Sequence, residues 1–311
     1  MNDSDMPDYI DAENAIIWNN KGLTLIGQGY YEEALECYDK AIQFNPEANA
    51  IWSNRVSCCD KIIGINPDDA SIWEEKGYAL YVLNSREESV YCYVKALKCY
   101  EKAILVNPKD STVWHSKGVL LVHLERFEAA SYCFERAIKL DAIAGNWNSM
   151  GRALEKSRRY EKALECYANA ILLDSRNALA WTCKSQIFYN FGQFNESVEC
   201  CNKLIEIDPD DNWAWIHKGL SLRGLGGLKE SIYCYDQAIK IKTYAIEDTW
   251  AYTYKADALS ELNRYEEALD CYIHILEIDP DDIGSWERKG HTLENLGRYF
   301  EAIDCYFKAN Y

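Results

Sequence analysis

A tryptophan returns along this 311-residue chain at a nearly fixed interval. Trp18, Trp52, Trp73, Trp114, Trp147, Trp181, Trp215, Tyr252 in the same slot, and Trp286 are separated by steps of 34, 21, 41, 33, 34, 34, 37 and 34 residues. A chain with that periodicity is confined to an array of like units, each stable only through packing against its neighbours.

The first unit runs from Trp18 to Pro46, WNNKGLTLIGQGYYEEALECYDKAIQFNP. Trp18, Gly22 and Leu25, and then Ala34, Tyr38 and Ala41, are spaced three, four or seven apart on either side of Gly27 and Gly29. That is one helix face repeated across a turn, so the unit is a helical hairpin. Pro46 and the extended preference it imposes on Asn45 close the second helix. Gly22 sits mid-helix at a cost of about 1 kcal/mol against alanine. The expected reason is close approach of the two helices, with Ala34 and Ala41 meeting the glycine.

The copies agree at several slots at once. Four residues after the tryptophan stand Gly22, Gly77, Gly118, Gly151, Ser185, Gly219, Ala256 and Gly290. Sixteen after it stand Ala34, Ser89, Ala130, Ala163, Ser197, Ser231, Ala268 and Ala302. This pattern resembles the tetratricopeptide repeat, over residues 15 to 311. The resemblance implies an all-α fold, an α-solenoid in which helical hairpins stack into a right-handed superhelix, with about eight full repeats and one orphan helix.

Two stretches depart from the copying. The segment from Asn49 to Pro67 begins as a first helix at Trp52 and ends as a second helix, with the hairpin turn missing; Ile51, Trp52, Val56, Cys59, Ile62 and Ile63 hold helical spacing throughout. It reads as one continuous helix without a hairpin partner, and it suggests a discontinuity of the stack near residues 47 to 70. Directly after, CYVKALK (Cys92 to Lys98) recurs as CYEKAIL (Cys99 to Leu105). Seven added residues lengthen a helix by about 10.5 Å and keep its apolar face, through silent duplication or to cover surface that the orphan helix leaves open. The expected organisation is an acidic N-terminal tail over 1–14, a first repeat plus orphan helix over 15–67, and a main array over 68–311 with an extended helix near 86–106. The second helix after Tyr299 stops at Ala309 with no further polar helix over its outer face.

Composition narrows the function. The chain is 48% apolar and 13% aromatic, enough for a packed core. A formal net charge of -17 argues against nucleic acid and anionic membranes as partners. The acidic start, MNDSDMPDYIDAE, and the lack of an apolar run of ~18 residues point to a soluble, cytoplasmic protein. Ten of the thirteen cysteines recur in one second-helix slot, eight of them nineteen residues after the tryptophan position and Cys58 and Cys99 in the two irregular stretches, which is spacing for packing and not for disulfides or zinc. No phosphate loop, nucleophile elbow or His-Glu-x-x-His helix is present, and the five histidines are scattered singly. We therefore expect no catalytic site, no cofactor and no metal.

The resemblance implies that first helices line a concave groove through the slots flanking each tryptophan. Carried onto this chain, those slots hold His115, His123, Asn148, Arg152, Lys156, Gln186, Tyr189, Trp213, His217 and Arg223, within residues 112 to 224. Aromatic, Arg and Asn side chains together are the composition of a peptide-binding hot spot. Trp213 is extra, because Trp215 already fills the packing slot. The family's clamp for C-terminal carboxylates is not expected, since Asn19, Leu23, Ser71 and Glu75 stand where its polar and basic groups would be and only Asn54 fits. The reading is an interaction scaffold that takes a protein or peptide segment in the groove; the alternative is self-assembly, a homodimer or larger oligomer made through the terminal repeat and the orphan-helix region.

Overall fold

A computed structural model describes residues 6–241 and 245–309, with the side chains of 11–241 and 249–309. Among them are seventeen helices and no strand. The chain forms two compact units, Met1–Arg158 and Arg159–Tyr311.

The first unit holds α1 (Met6–Gln28), α2 (Tyr31–Phe44), α3 (Asn49–Ile65), α4 (Ala70–Val82), α5 (Arg86–Val106), α6 (Ser111–His123), α7 (Phe127–Leu140) and α8 (Ala144–Lys156). Hairpins α1/α2, α4/α5 and α6/α7 pack as the slot pattern requires. The turn inside each hairpin places one residue in the left-handed region: Gly29 at φ 87°, Asn84 at 59° and Glu125 at 56°. In the first of these turns, Tyr30 N–H donates to the Leu25 carbonyl at 3.0 Å and Gly29 N–H to Ile26 at 3.1 Å, which satisfies carbonyls that a helix end would leave open. The carboxylates of Asp69 and Asp110 cap α4 and α6, accepting from the amides two and three residues on.

The glycine slot has a different partner from the one expected. A Cβ on Gly22 would sit 2.7 Å from the Tyr38 ring, on Gly77 2.6 Å from Tyr93, and on Gly118 2.6 Å from Phe134. The glycines make room for a buried ring laid flat on the first helix, and the alanines of the second helix are not what meets them. The tryptophan slot is likewise half polar in its role. The indole N–H of Trp52, Trp73 and Trp114 donates to the carbonyl of Pro46, Pro67 and Pro108, six residues back, at 2.8 to 3.0 Å. Each tryptophan thus clasps the loop that delivers its own helix.

Helix α3 is a single 17-residue helix, as expected, but the stack is continuous through residues 47–70. Ile51, Cys58, Cys59 and Ile62 share one core with Ala34 and Tyr38 of α2 and with Ile72 of α4, which lies beyond the expected boundary at 67. A repeated ion pair shows how. Arg55, three residues after Trp52, meets Asp39, two residues after Cys37, at 3.0 Å; Lys76 meets Asp60 at 2.5 Å through the same slots of the next pair. The first half of α3 therefore stacks on α2 as a first helix does, and its second half serves α4 as a second helix does. The missing turn is replaced by one helix doing both jobs end to end.

The duplicated heptad in α5 divides the same two jobs. Tyr93, in the first copy, covers Gly77 of its own hairpin. Glu101, in the second copy, pairs with Lys117 of α6 at 3.1 Å, and Leu97 and Tyr100 join Leu120 and Leu121 in the next core. The added turns also reach α4 and the α3–α4 connection: Tyr100 Oη donates to Glu74 at 2.8 Å and Lys102 Nζ to Asp68 at 2.6 Å. The extension therefore packs on α4 and the loop before it as well as on α6. Helix α1 begins at Met6, inside the stretch read as a tail, and Ala15 is buried; residues 1–5 of that stretch lie outside the described residues.

The second unit holds α9 (Tyr160–Leu173), α10 (Ala178–Asn190), α11 (Phe194–Ile207), α12 (Asn212–Gly224), α13 (Leu228–Lys240), α14 (Ala245–Glu261), α15 (Tyr265–Ile278), α16 (Ile283–Asn295) and α17 (Tyr299–Ala309). Its turns carry Gly192, Gly226, Asn263 and Gly297 in the left-handed region. Trp181, Trp215 and Trp286 repeat the indole clasp at 2.8 to 3.1 Å. Lys255 and Asp236 repeat the interhelix ion pair at 2.7 Å. Residues 242–244, between α13 and α14, lie outside the described residues. All thirteen cysteines are free thiols, twelve of them buried and Cys183 half-buried, as apolar packing groups would be. Burial pushes the Cys59 and Cys200 thiols up to about 12.

Candidate functional site

Of the ten residues singled out from the sequence, five lie in the first unit and are not alike there. His115 Nδ1 hydrogen-bonds Asn146 Oδ1 at 2.7 Å and its ring stands edge-on to Phe134, so it braces α6 against α8. His123 stacks on Tyr93 at 5.6 Å, and burial together with the Arg152 charge lowers its pKa. Asn148 is buried. Arg152 and Lys156 are exposed, one turn apart on α8, and neither makes an ion pair among the described residues.

In the second unit four of the remaining five converge. Gln186, Tyr189 and Asn190 of α10, Trp213, Ile216, His217 and Leu220 of α12, and Trp250 and Tyr254 of α14 line one cavity of about 320 Å³ on the first-helix face. The register follows from the slots: Trp213 and Trp250 each lie two residues before a packing aromatic, and Tyr189 lies eight after one. Trp213 stacks on His217 at 3.8 Å with the rings 22° apart, and Tyr189 meets His217 edge-on at 6.2 Å. His217 is enclosed by apolar rings, its Nδ1 buried without a hydrogen-bond partner, and burial lowers its pKa to about 4. At neutral pH it is an uncharged wall. Trp250, which the sequence reading left out of its candidate set, is 57% exposed and gives the cavity its open aromatic face. Its position two residues before Tyr252, the same offset as Trp213 from Trp215, was the available signal.

A polar seam fixes the spacing of the walls. Where other hairpins set a ring against the glycine slot, this one has Cys201 facing Ser185, with Sγ and Oγ 3.1 Å apart. Ser185 Oγ contacts Ser197 Oγ at 3.1 Å, Ser197 contacts Ser221 at 2.8 Å, and Ser221 donates to the His217 carbonyl at 2.8 Å. These hydroxyls are fully buried and tie α10, α11 and α12 together directly behind the cavity.

Arg223, the fifth residue, stands one turn beyond Leu220 and is not a free cation. Its Nε donates to Glu261 Oε1 at 2.8 Å, a second nitrogen bonds the same oxygen, and a third lies 3.5 Å from Asp257 Oδ2. Both acids come from α14, 34 and 38 residues away. Asp257 also accepts from Tyr272 Oη at 3.3 Å. Among the described residues no cluster of three or more His, Cys, Asp or Glu side chains is arranged to hold a metal ion. No described helix is long and apolar enough to cross a membrane.

Models of the tetratricopeptide repeat match residues 15–47, 144–177, 251–282 and 271–304. This is a tetratricopeptide-repeat protein. Models of two further helical families match parts of the same array, the CABIN1 N-terminal domain over 66–158 and the protein prenyltransferase alpha subunit repeat over 194–225. No curated protein matches the sequence significantly. Among solved structures, the chain is similar to the C-terminal part of a tetratricopeptide-repeat protein from Cytophaga hutchinsonii, with a TM-score of 0.58 at 16% identity, covering 75% of this chain and 90% of that one. It is also similar to Pseudomonas aeruginosa PilF, with a TM-score of 0.52 at 15% identity over 64% of this chain and 88% of that one. A third is YrrB, described as a tetratricopeptide-repeat protein with an unusual peptide-binding site, with a TM-score of 0.51 at 18% identity over 60% and 95% of the two chains. At these identities the likeness is one of fold.

Proposed function

We propose that the protein is a non-catalytic scaffold and that the groove of its second unit, walled by α10, α12 and α14, docks an extended or helical segment of another protein. The observation that carries this is the open aromatic cavity of about 320 Å³ between Trp213, Tyr189, Trp250 and Tyr254. It is at the small end of ligand-pocket sizes, suited to one bulky side chain of a longer segment and not to a whole cofactor. Its α10 and α12 walls are held by the buried serine seam, so little ordering of them is needed on binding. A few aromatic anchors of this kind give micromolar affinity, about -8 kcal/mol. YrrB, a structural neighbour, has a peptide site of its own. Panning a random peptide library on the full chain tests the proposal. Sequences with a bulky apolar anchor should be enriched, and their binding should be lost in Trp250→Ala with the thermal melt unchanged; enrichment that survives Trp250→Ala and Trp213→Ala sinks it.

A second reading, self-assembly, rests on α17. Tyr299, Phe300, Ile303 and Phe307 are 65%, 91%, 52% and 61% exposed along one side of that helix. Ile303 occupies the slot of Leu269 in α15, which is buried against Leu293 of α16. A second copy of the chain would cover this face as α16 covers α15. Sedimentation at dilute concentration decides it: a strict monomer that becomes no larger on concentration removes this reading.

A further inference from the structure

We propose that the segment taken by the groove of the second unit carries basic residues beside its apolar anchor; this rests on the docking reading above. Apart from Arg288, the basic groups of the first helices in this unit are already engaged. Lys184, Lys218 and Lys289 lie over the rings of Trp181, Trp215 and Trp286 at 5.4, 5.2 and 4.9 Å, and Lys255 pairs with Asp236. Arg223, beside the cavity, is held by both Glu261 and Asp257, which leaves that corner with one negative charge in excess. On the next first helix, Glu287 and Glu294 occupy groove slots and are exposed, with Arg288 as the one cation among them. The rim therefore selects for positive charge, and the exposed face of Trp250 favours a cation laid over it.

Two labelled peptides test this, Lys-Lys-Phe-Leu-Lys-Lys and Glu-Glu-Phe-Leu-Glu-Glu, titrated into the full chain by fluorescence anisotropy. The basic peptide should bind at least ~10-fold more tightly, and the gap should shrink as salt screens it. Asp257→Asn combined with Glu261→Gln leaves Arg223 without a counter-charge and should abolish or invert the preference. Glu287→Gln with Glu294→Gln, at exposed positions, should reduce it severalfold without touching that ion pair. Equal or tighter binding of the acidic peptide, lost in Trp250→Ala, overturns the charge inference and leaves the docking reading standing. Binding of neither peptide, or binding indifferent to Trp250→Ala and Trp213→Ala, overturns both.

Discussion

At the scale of single residues, the slots that recur are governed by geometry that can be stated atom by atom. The turn position between paired helices needs positive φ, and Glu125 occupies it at 56° where all other such turns but that of Arg158 have glycine or asparagine. A side chain there is held against its preference by about 1 kcal/mol. Glu125→Gly should therefore raise the stability of the first unit by about 0.5–1 kcal/mol in urea melts, part of the gain being offset by the freer unfolded chain. His217 makes a second prediction. Its folded pKa, near 4, lies below the unfolded value of about 6.5, so the unfolded chain binds the proton first. Stability of the second unit is unaffected above pH 6.5 and falls as pH drops from there toward 4, by up to about 3 kcal/mol. The fall should be absent in His217→Phe, measured as the urea midpoint against pH.

At the scale of helices, the two irregular stretches obey the rule of the regular ones. Wherever a first helix stacks on the helix before it by the basic–acidic pair, the base is three residues after the tryptophan slot and the acid two after the cysteine: Arg55–Asp39, Lys76–Asp60, Lys117–Glu101 and Lys255–Asp236. In α5 the acid comes from the second heptad copy. Deleting Cys99 to Leu105 would put Val94 opposite Lys117 and strip Tyr100 from the α6 core. The deletion should cost about 3 kcal/mol or more and broaden the denaturation transition of the first unit; a silent duplication would leave both unchanged. The helices themselves, the continuous α3 and the long α5 were legible in the sequence because period and spacing are local. The continuity of the stack through α3 was not, since it depends on Arg55 and Lys76 reaching acids on neighbouring helices. Nor was the state of Arg223, whose partners lie 34 and 38 residues on. The cavity was half legible: Trp213 stood out as surplus, whereas Trp250, in the same groove slot two residues before Tyr252, was not among the residues singled out.

At the scale of the whole molecule, packing accounts for the recurring residues and leaves function to the slots that vary. Trp, Gly and Cys recur because they clasp loops, admit rings and fill small spaces; none of these roles needs a partner. The first-helix faces differ from unit to unit, and in the second unit they gather five aromatic or imidazole side chains around one opening, Tyr189, Trp213, His217, Trp250 and Tyr254. The central claim is that this opening is where a partner segment sits. Hydrogen–deuterium exchange of the full chain, alone and saturated with a library-selected peptide, tests it most directly. Amide exchange should slow in 178–190, 212–224 and 249–261, with α11, α13 and α15 little changed. Protection confined to the second helices, to α17 or to the first unit would contradict the account.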